Sequence, residues 1–376
     1  MKLEIPVRKI QCTVENENLV VRSGKPLRAL SSAIINGGLC MTNTILNHQV
    51  AKNFADPKPE EYLSKIAASL NLPTTTVGLM TAADVTKASL ETRKTDNATI
   101  CALVTAGVSY PAAPADSLRR MKGAGTINII ILVEGNLSDA CMVEAVKTAT
   151  EAKSAALREL DIRSRFSQRV ASGTTTDAIV VACTGDGEPI RYAGTATELG
   201  EALGRVVVMA TKKTLKMQEG ITPERPLIQR LDERGITLRD MLKTAMDFCV
   251  YHPAMGSRRK VRKLLEEGFK STLTDVNVAA LLMAGLRLEE DGALGLIPGL
   301  KPEVYAKDPV LLVADEILGM GISNYIAGSR GLFEYIRFDR AKPGLLKKLG
   351  PFMDDVIGSL IAGVSSNMYT QILDKR

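Results

Sequence analysis

Short runs of β-branched and aliphatic residues, bounded by Gly, Pro or Asp, punctuate the first two hundred positions. Residues 75–80, 99–105, 127–134, 178–183 and 190–192 have the length and composition of strands. Between them apolar positions recur at helical spacing over 60–70, over 139–160 behind Ser138 as N-cap, and over 198–209. The last of these follows Thr195-Ala-Thr-Glu198, which has the form of a capping box. This order predicts a layered α/β (or α+β) domain over residues 1–211. Residues 212–236 are polar, carry Pro223 and Pro226, and read as a linker. Beyond it, 237–251, 258–269, 275–290, 309–327 and 351–373 all show helical patterning, so 237–376 reads as an all-α domain.

Length agrees with this division. The chain has 376 residues, and single cores stop growing at roughly 250–300. Aromatics are 4 % with no Trp, so few side chains can stack on bases and no nucleic-acid partner is expected. The net charge of +6 is mild. Its densest cluster, Arg258 to Lys263, fits a solvated helix face. Six cysteines without a CxxC pair, and only two histidines, argue for reduced thiols and against a structural zinc. No apolar run is long enough for a membrane span and the N-terminus is charged, so a cytoplasmic enzyme is expected. A homo-oligomer is compatible with the composition.

Chemistry concentrates in two acidic pairs of the helical part. In Val310-Leu-Leu-Val-Ala-Asp315-Glu316-Ile-Leu-Gly, helical spacing puts Asp315 in line with Leu311, Leu318 and Ile322. An ionised Asp on an apolar face is costly unless paired or bound to a cation. With the helix starting at Pro309, the pair lies mid-helix, where the macrodipole does not explain it. The second pair, Asp354-Asp355, stands between Gly350-Pro and Gly358. Such pairs on two helices are a recipe for a hard cation such as Mg²⁺. The intervening Arg337-Phe-Asp339-Arg-Ala-Lys342-Pro, read as a loop, offers Arg337 and Lys342 to phosphate oxygens, with Asp339 as a further ligand or orienting group. These runs, with Phe333-Glu-Tyr-Ile-Arg-Phe-Asp-Arg-Ala-Lys-Pro and Gly350-Pro-Phe-Met-Asp-Asp-Val-Ile-Gly-Ser-Leu-Ile-Ala-Gly, resemble the phosphatidylglycerophosphatase A superfamily over roughly 236–376. Within it they are similar to the archaeal α-ribazole-phosphate phosphatases. The resemblance implies an all-α, Mg²⁺-dependent phosphatase, with Asp315, Glu316, Asp354 and Asp355 as metal ligands.

The first domain gives weaker chemical signals. Asn47 and His48 sit together in Asn43-Thr-Ile-Leu-Asn-His-Gln, and His48 is a candidate for acid–base work. Glu134 ends one predicted strand and Asp177 precedes another, where sites on sheets tend to lie. Glycine- and threonine-rich turns around Thr105-Ala-Gly-Val-Ser109 and Gly123-Ala-Gly-Thr126-Ile-Asn128 offer donors to a ligand. No GxGxxG, GxxxxGK[ST] or GxSxG is present, so nucleotide folds and the serine-hydrolase elbow have no support. As strings, Asn47-His-Gln-Val, Val77-Gly-Leu-Met-Thr-Ala-Ala, Gly125-Thr-Ile-Asn-Ile-Ile-Ile-Leu-Val, Glu144-Ala-Val-Lys-Thr-Ala-Thr-Glu-Ala-Lys and Gly173-Thr-Thr-Thr-Asp-Ala-Ile-Val-Val-Ala-Cys resemble the adenosylcobinamide amidohydrolases over most of 1–211. After Ser109 this chain has Tyr110-Pro111 in place of that family's usual Asn. The resemblance implies hydrolysis of the amide joining aminopropanol to the corrin ring, with no cofactor assigned to that half. Together the two resemblances imply a bifunctional enzyme of cobamide synthesis, acting on adenosylcobinamide and α-ribazole 5′-phosphate.

Overall fold

A computed structural model describes residues 1–116, 125–167 and 169–373. The chain forms two compact units, Met1–Glu224 and Arg225–Arg376. The first is a mixed nine-stranded sheet with helices, the second a helical assembly.

Strands Thr99–Gly107, Thr126–Glu134 and Ala178–Cys183 are buried almost throughout, which is why they read as unbroken apolar runs. Successive side chains point to opposite faces. Ile127, Ile129, Ile131 and Val133 pack against helices Asp139–Glu159 and Glu198–Glu219. Ile130 and Leu132 face a second layer built by Cys12, Val14, Leu19, Val21, Ile45 and Leu79. Helix Pro59–Ser69 covers the outside of that layer through Leu63 and Ala67. One strand joins the two layers. Asn18–Ser31 pairs first with Ile10–Glu15 and later with Ala178–Cys183, and between the two its register against Gly38–Gln49 shifts from Arg22 to Leu27. The irregularity, at Gly24-Lys-Pro26, lets the strand bend from one layer to the other.

Helix Asp139–Glu159 begins at Ser138, whose side chain accepts from Cys141 N–H. The cap of the next helix is Thr197, accepting from Gly200 N–H. Since Gly200 occupies the position where a box needs Glu or Gln, the expected capping box does not form. Residues 212–219, expected as linker, continue this helix because Thr211, Thr214 and Leu215 keep its inner face buried. It stops at Gly220 in the left-handed region. A short helix, Leu227–Asp232, occupies more of the expected linker.

In the second unit, helix Pro351–Leu373 is the core: every residue from Phe352 to Ser366 is buried. A helix buried all round belongs at the centre of its domain. Glu289, on helix Val276–Leu294, caps it by accepting from Phe352 and Met353 N–H at 3.0 and 3.2 Å. Gly350 makes this approach possible, since a Cβ there would lie 1.6 Å from Glu289 Oε1. Among the described residues, no helix is long and apolar enough to cross a membrane.

Helix Ala314–Ala341 is interrupted at Ala327 and Gly328. In a straight helix Gly319 and Tyr335 would be about 24 Å apart. A Cβ on Gly319 would lie 2.9 Å from the Tyr335 ring, so the chain folds back at the interruption. The segment expected as a loop around Arg337 is therefore the returning helix.

Candidate functional site

In the sheet unit, the ends of strands Val77–Thr81, Thr126–Glu134 and Ala178–Cys183 frame a pocket of about 350 Å³. Ser32, Thr81, Thr126, Thr176 and Asp177 supply its polar wall, and Ile34, Phe54 and Leu79 contribute to its apolar one. Behind it lies a buried amide network. Asn47 Nδ2 donates to Thr105 Oγ1 at 2.9 Å, and Asn128 Nδ2 donates to Asn47 Oδ1 and to the Met80 carbonyl, both at 2.8 Å. Ser109 lies two residues beyond the same end of its strand, where its carbonyl accepts from Arg165. Asp177 pins the pocket wall. Its Oδ1 accepts from Ile127 N–H and the Thr174 hydroxyl, and its Oδ2 from Thr174 N–H and Lys153 Nζ. This Lys153–Asp177 pair is buried, and Gly173 leaves it room, since a Cβ there would meet Asp177 Oδ2 at 2.3 Å.

Two candidates fall elsewhere. His48 is next to Asn47 on one strand and so points to the other face. There its Nδ1 lies 2.8 Å from Asn18 Oδ1 and its Nε2 3.3 Å from the Tyr62 hydroxyl. Burial lowers its pKa, against the nearby Glu17 charge. Glu134 is at the far end of its strand, roughly 20 Å along from Asn128 at the usual rise, and is held by Arg8 at 3.0 Å. Gly123 and Ala124 of the expected glycine turn lie outside the described residues.

In the helical unit, the N-termini of two helices meet. Asp315, Glu316 and Asp355 bring one carboxylate oxygen each to within 4.8 Å of one another. Because the helix starts at Ala314, not at Pro309, Asp315 and Glu316 occupy its first turn. The macrodipole therefore favours them as it favours Asp354. It does not offset their burial. Asp315 is 0 % exposed, and desolvation, with Glu316 beside it, pushes its carboxyl up to about 8. Burial raises Asp355 as well, against a 2.8 Å hydrogen bond donated by Tyr335. Asp354 is pushed up to about 6 by burial, although Lys342 Nζ sits 2.8 Å from its Oδ2. Asp315 Oδ2, Glu316 Oε2 and Asp354 Oδ1 are buried without a hydrogen-bond partner. Such oxygen ligands with lone pairs that accept no hydrogen bond fit a hard divalent cation.

Residues 4–223, more than half of the chain, match the family model described as adenosylcobinamide amidohydrolase. The chain belongs to that family. An adenosylcobinamide amidohydrolase of Methanosarcina mazei is 34 % identical over 218 residues, covering 56 % of this chain and 99 % of that protein. Within the amidohydrolase chain, residues 261–370 match the phosphatidylglycerophosphatase A model, so a domain of that family follows the first. An uncharacterised protein of Methanocaldococcus jannaschii is 33 % identical over 124 residues, 32 % of this chain and 94 % of that protein. A solved structure, the low temperature requirement C protein of Listeria monocytogenes, is 26 % identical and covers 39 % of this chain and 93 % of its own, with a TM-score of 0.34.

In the phosphatidylglycerophosphatase A domain, the expected residues separate. Asp339 is close enough to raise Asp355 and Tyr335 electrostatically. Lys342 is shared between Asp354 and Asp308. Arg337 turns away. Two residues on from Tyr335 is roughly 200° of helix, and Arg337 instead binds Glu334 at 2.6 Å and lies over the Phe248 ring. Tyr335 in this unit, and Lys153 and Thr174 in the other, escaped the sequence reading. A Tyr or Lys in a helix carries no local sign that its tip reaches a buried carboxylate.

Proposed function

We propose that this chain is a two-site hydrolase of cobamide synthesis and salvage. The sheet unit would hydrolyse adenosylcobinamide to adenosylcobyric acid and aminopropanol, at the pocket framed by Thr126, Thr176 and Asp177. The helical unit would dephosphorylate α-ribazole 5′-phosphate or adenosylcobalamin 5′-phosphate. The observation that carries the second half is the buried carboxylate group whose Asp315 and Glu316 oxygens lack donors. Asp315, Glu316 and Asp355 would hold Mg²⁺, which supplies neutralising charge for the phosphoryl group. Tyr335 fixes Asp355 through one oxygen, leaving the other for the ion. Lys342 keeps a positive charge at the rim between Asp308 and Asp354, and Asp354 acts through it.

The test is incubation of the purified protein with adenosylcobinamide and with α-ribazole 5′-phosphate, with Mg²⁺ and with EDTA. Adenosylcobyric acid should form under both conditions, and phosphate only with the metal. Phosphate release unaffected by EDTA would overturn the metal assignment. Untouched cobinamide would reduce the sheet unit to a corrinoid binder. A second reading for the helical unit is a lipid phosphomonoesterase acting on phosphatidylglycerophosphate. It is favoured by Val310 and Leu311, 93 % and 95 % exposed just before the acid pair. Faster turnover of that lipid in micelles than of α-ribazole 5′-phosphate would establish it.

A further inference from the structure

The carbonyl of Gly125 is unusually well supplied with hydroxyls. Thr174 Oγ1 lies 2.6 Å and Thr176 Oγ1 2.9 Å from its oxygen. The Thr174 proton is shared with Asp177, which also contacts that hydroxyl. Thr176 in turn stands 2.8 Å from Thr126 Oγ1. No side chain fits at this position, since a Cβ on Gly125 would lie 2.8 Å from Tyr110 N and 3.2 Å from Gly107 O. Hydroxyl donors fixed on a carbonyl oxygen are the arrangement that stabilises a tetrahedral oxyanion. Thr126, the next residue, opens its strand and lines the pocket with Thr176.

A threonine hydroxyl that attacks the amide of another molecule needs a base, whereas in attack on its own peptide bond the departing nitrogen takes the proton. Among the described residues around this pocket, the carboxylate next to Thr176 is committed. Asp177 accepts on both oxygens and pairs with Lys153. Asp56 at the rim accepts from Lys58 N–H. His48 faces the other side of its strand, toward Asn18 and Tyr62. A base that the Thr126 hydroxyl can still acquire is an amine on its own α-carbon.

We propose that Thr126 is the nucleophile of the amidohydrolase unit, and that the chain unmasks it by hydrolysing its own Gly125–Thr126 peptide bond. Thr126 Oγ1 adds to the Gly125 carbonyl carbon, and the oxyanion forms against Thr174 and Thr176. The C–N bond then breaks, and the proton that leaves Oγ1 ends on the Thr126 nitrogen. Water hydrolyses the resulting ester, giving a Gly125 carboxylate and restoring the hydroxyl. The freed α-amine then serves as base when Oγ1 attacks the substrate amide. The amine product departs with the proton, and a second water releases the acid from the acyl-threonine. The two pieces would stay together. Thr126–Glu134 is paired with Thr99–Gly107, and Ala178–Cys183 with Asn18–Ser31, across the break. The proposal rests on the amide-hydrolysing reading of this unit.

The test is denaturing electrophoresis with intact-mass measurement on the purified full chain, beside native size exclusion. Two species, 1–125 and 126–376, should co-elute natively and separate on denaturation. Thr126→Ala should stay whole and lose cobinamide hydrolysis while its far-ultraviolet circular dichroism and native elution, the controls on folding, are unchanged. Thr126→Ser should restore both cleavage and hydrolysis. Thr176→Ala should slow cleavage by about 10²-fold or more, the usual cost of one oxyanion donor. A wild-type chain that hydrolyses cobinamide while remaining whole overturns the proposal, as does an active Thr126→Ala. Cleavage at Gly125–Thr126 without any action on cobinamide would support the processing step and sink the substrate assignment instead.

Discussion

The two units bury polar side chains in opposite ways. Around the sheet pocket, Lys153 and Asp177 neutralise each other, and the Asn47, Thr105 and Asn128 side chains bind one another. At the meeting of the helices, Asp315, Glu316 and Asp354 each keep a buried oxygen without a donor. A satisfied network holds a shape. An unsatisfied cluster of like charge is costly until something positive arrives. The difference separates a wall, made to stay still, from a receptor, made to be filled.

Removing a member of the receptor should have the largest effect. Asp315→Asn is expected to lower phosphate release by more than about 100-fold, given that even outer partners of a metal contribute 10–100-fold, while cobinamide hydrolysis is unchanged. Equal loss of both activities would break the comparison. Next is the wall. Lys153→Met leaves Asp177 charged and unpaired, which costs about 3–5 kcal/mol for a buried pair. Urea unfolding should show the loss in the sheet unit, with phosphatase activity spared. Tyr335→Phe removes the hydroxyl that holds Asp355 and should weaken Mn²⁺ binding, followed by electron paramagnetic resonance, by roughly 10-fold or more. Unaltered Mn²⁺ affinity would mean that the tyrosine serves packing alone.

A fourth test is the pH dependence without metal. Asp315 is raised from 3.8 to about 8 in the folded chain, so between those values the folded state holds more protons than the unfolded one. Stability must then fall as pH rises through that window. Thermal unfolding in EDTA should come at lower temperature at pH 8 than at pH 5, and Mg²⁺ should narrow the gap. The smallest effect is expected from His48→Gln. With only hydrogen bonds to Asn18 and Tyr62 at stake, it should cost about 1 kcal/mol of stability and leave cobinamide hydrolysis nearly intact.

Much of this was legible from sequence wherever burial was uniform. The strands Thr99–Gly107, Thr126–Glu134 and Ala178–Cys183 announce themselves because both of their faces are covered. Helix Pro351–Leu373 does so for the same reason. The first fifty residues stayed silent, although Ile10, Cys12 and Val14 alternate with polar positions. Arg22, Gly24, Pro26 and Arg28 break the pattern of Asn18–Ser31, and only its pairing on both edges makes it a strand. The acids of the helical unit stood out as charges in apolar company. Their partners did not, because choosing Tyr335 over Arg337 requires knowing that the chain reverses at Ala327 and Gly328. Asn47 and His48 look like one patch in the sequence, but an extended backbone sends neighbours to opposite sides.

The cap that Glu289 places on helix Pro351–Leu373 also ties the acid cluster to a third helix. Pro351–Leu373 takes starting hydrogen bonds from a residue some sixty positions earlier, so its first turn has that support only where Val276–Leu294 is in place. Asp354 lies in that first turn. The cluster is therefore not local to the two helices that carry it: losing the Glu289 cap would loosen the turn that presents Asp354 to Lys342.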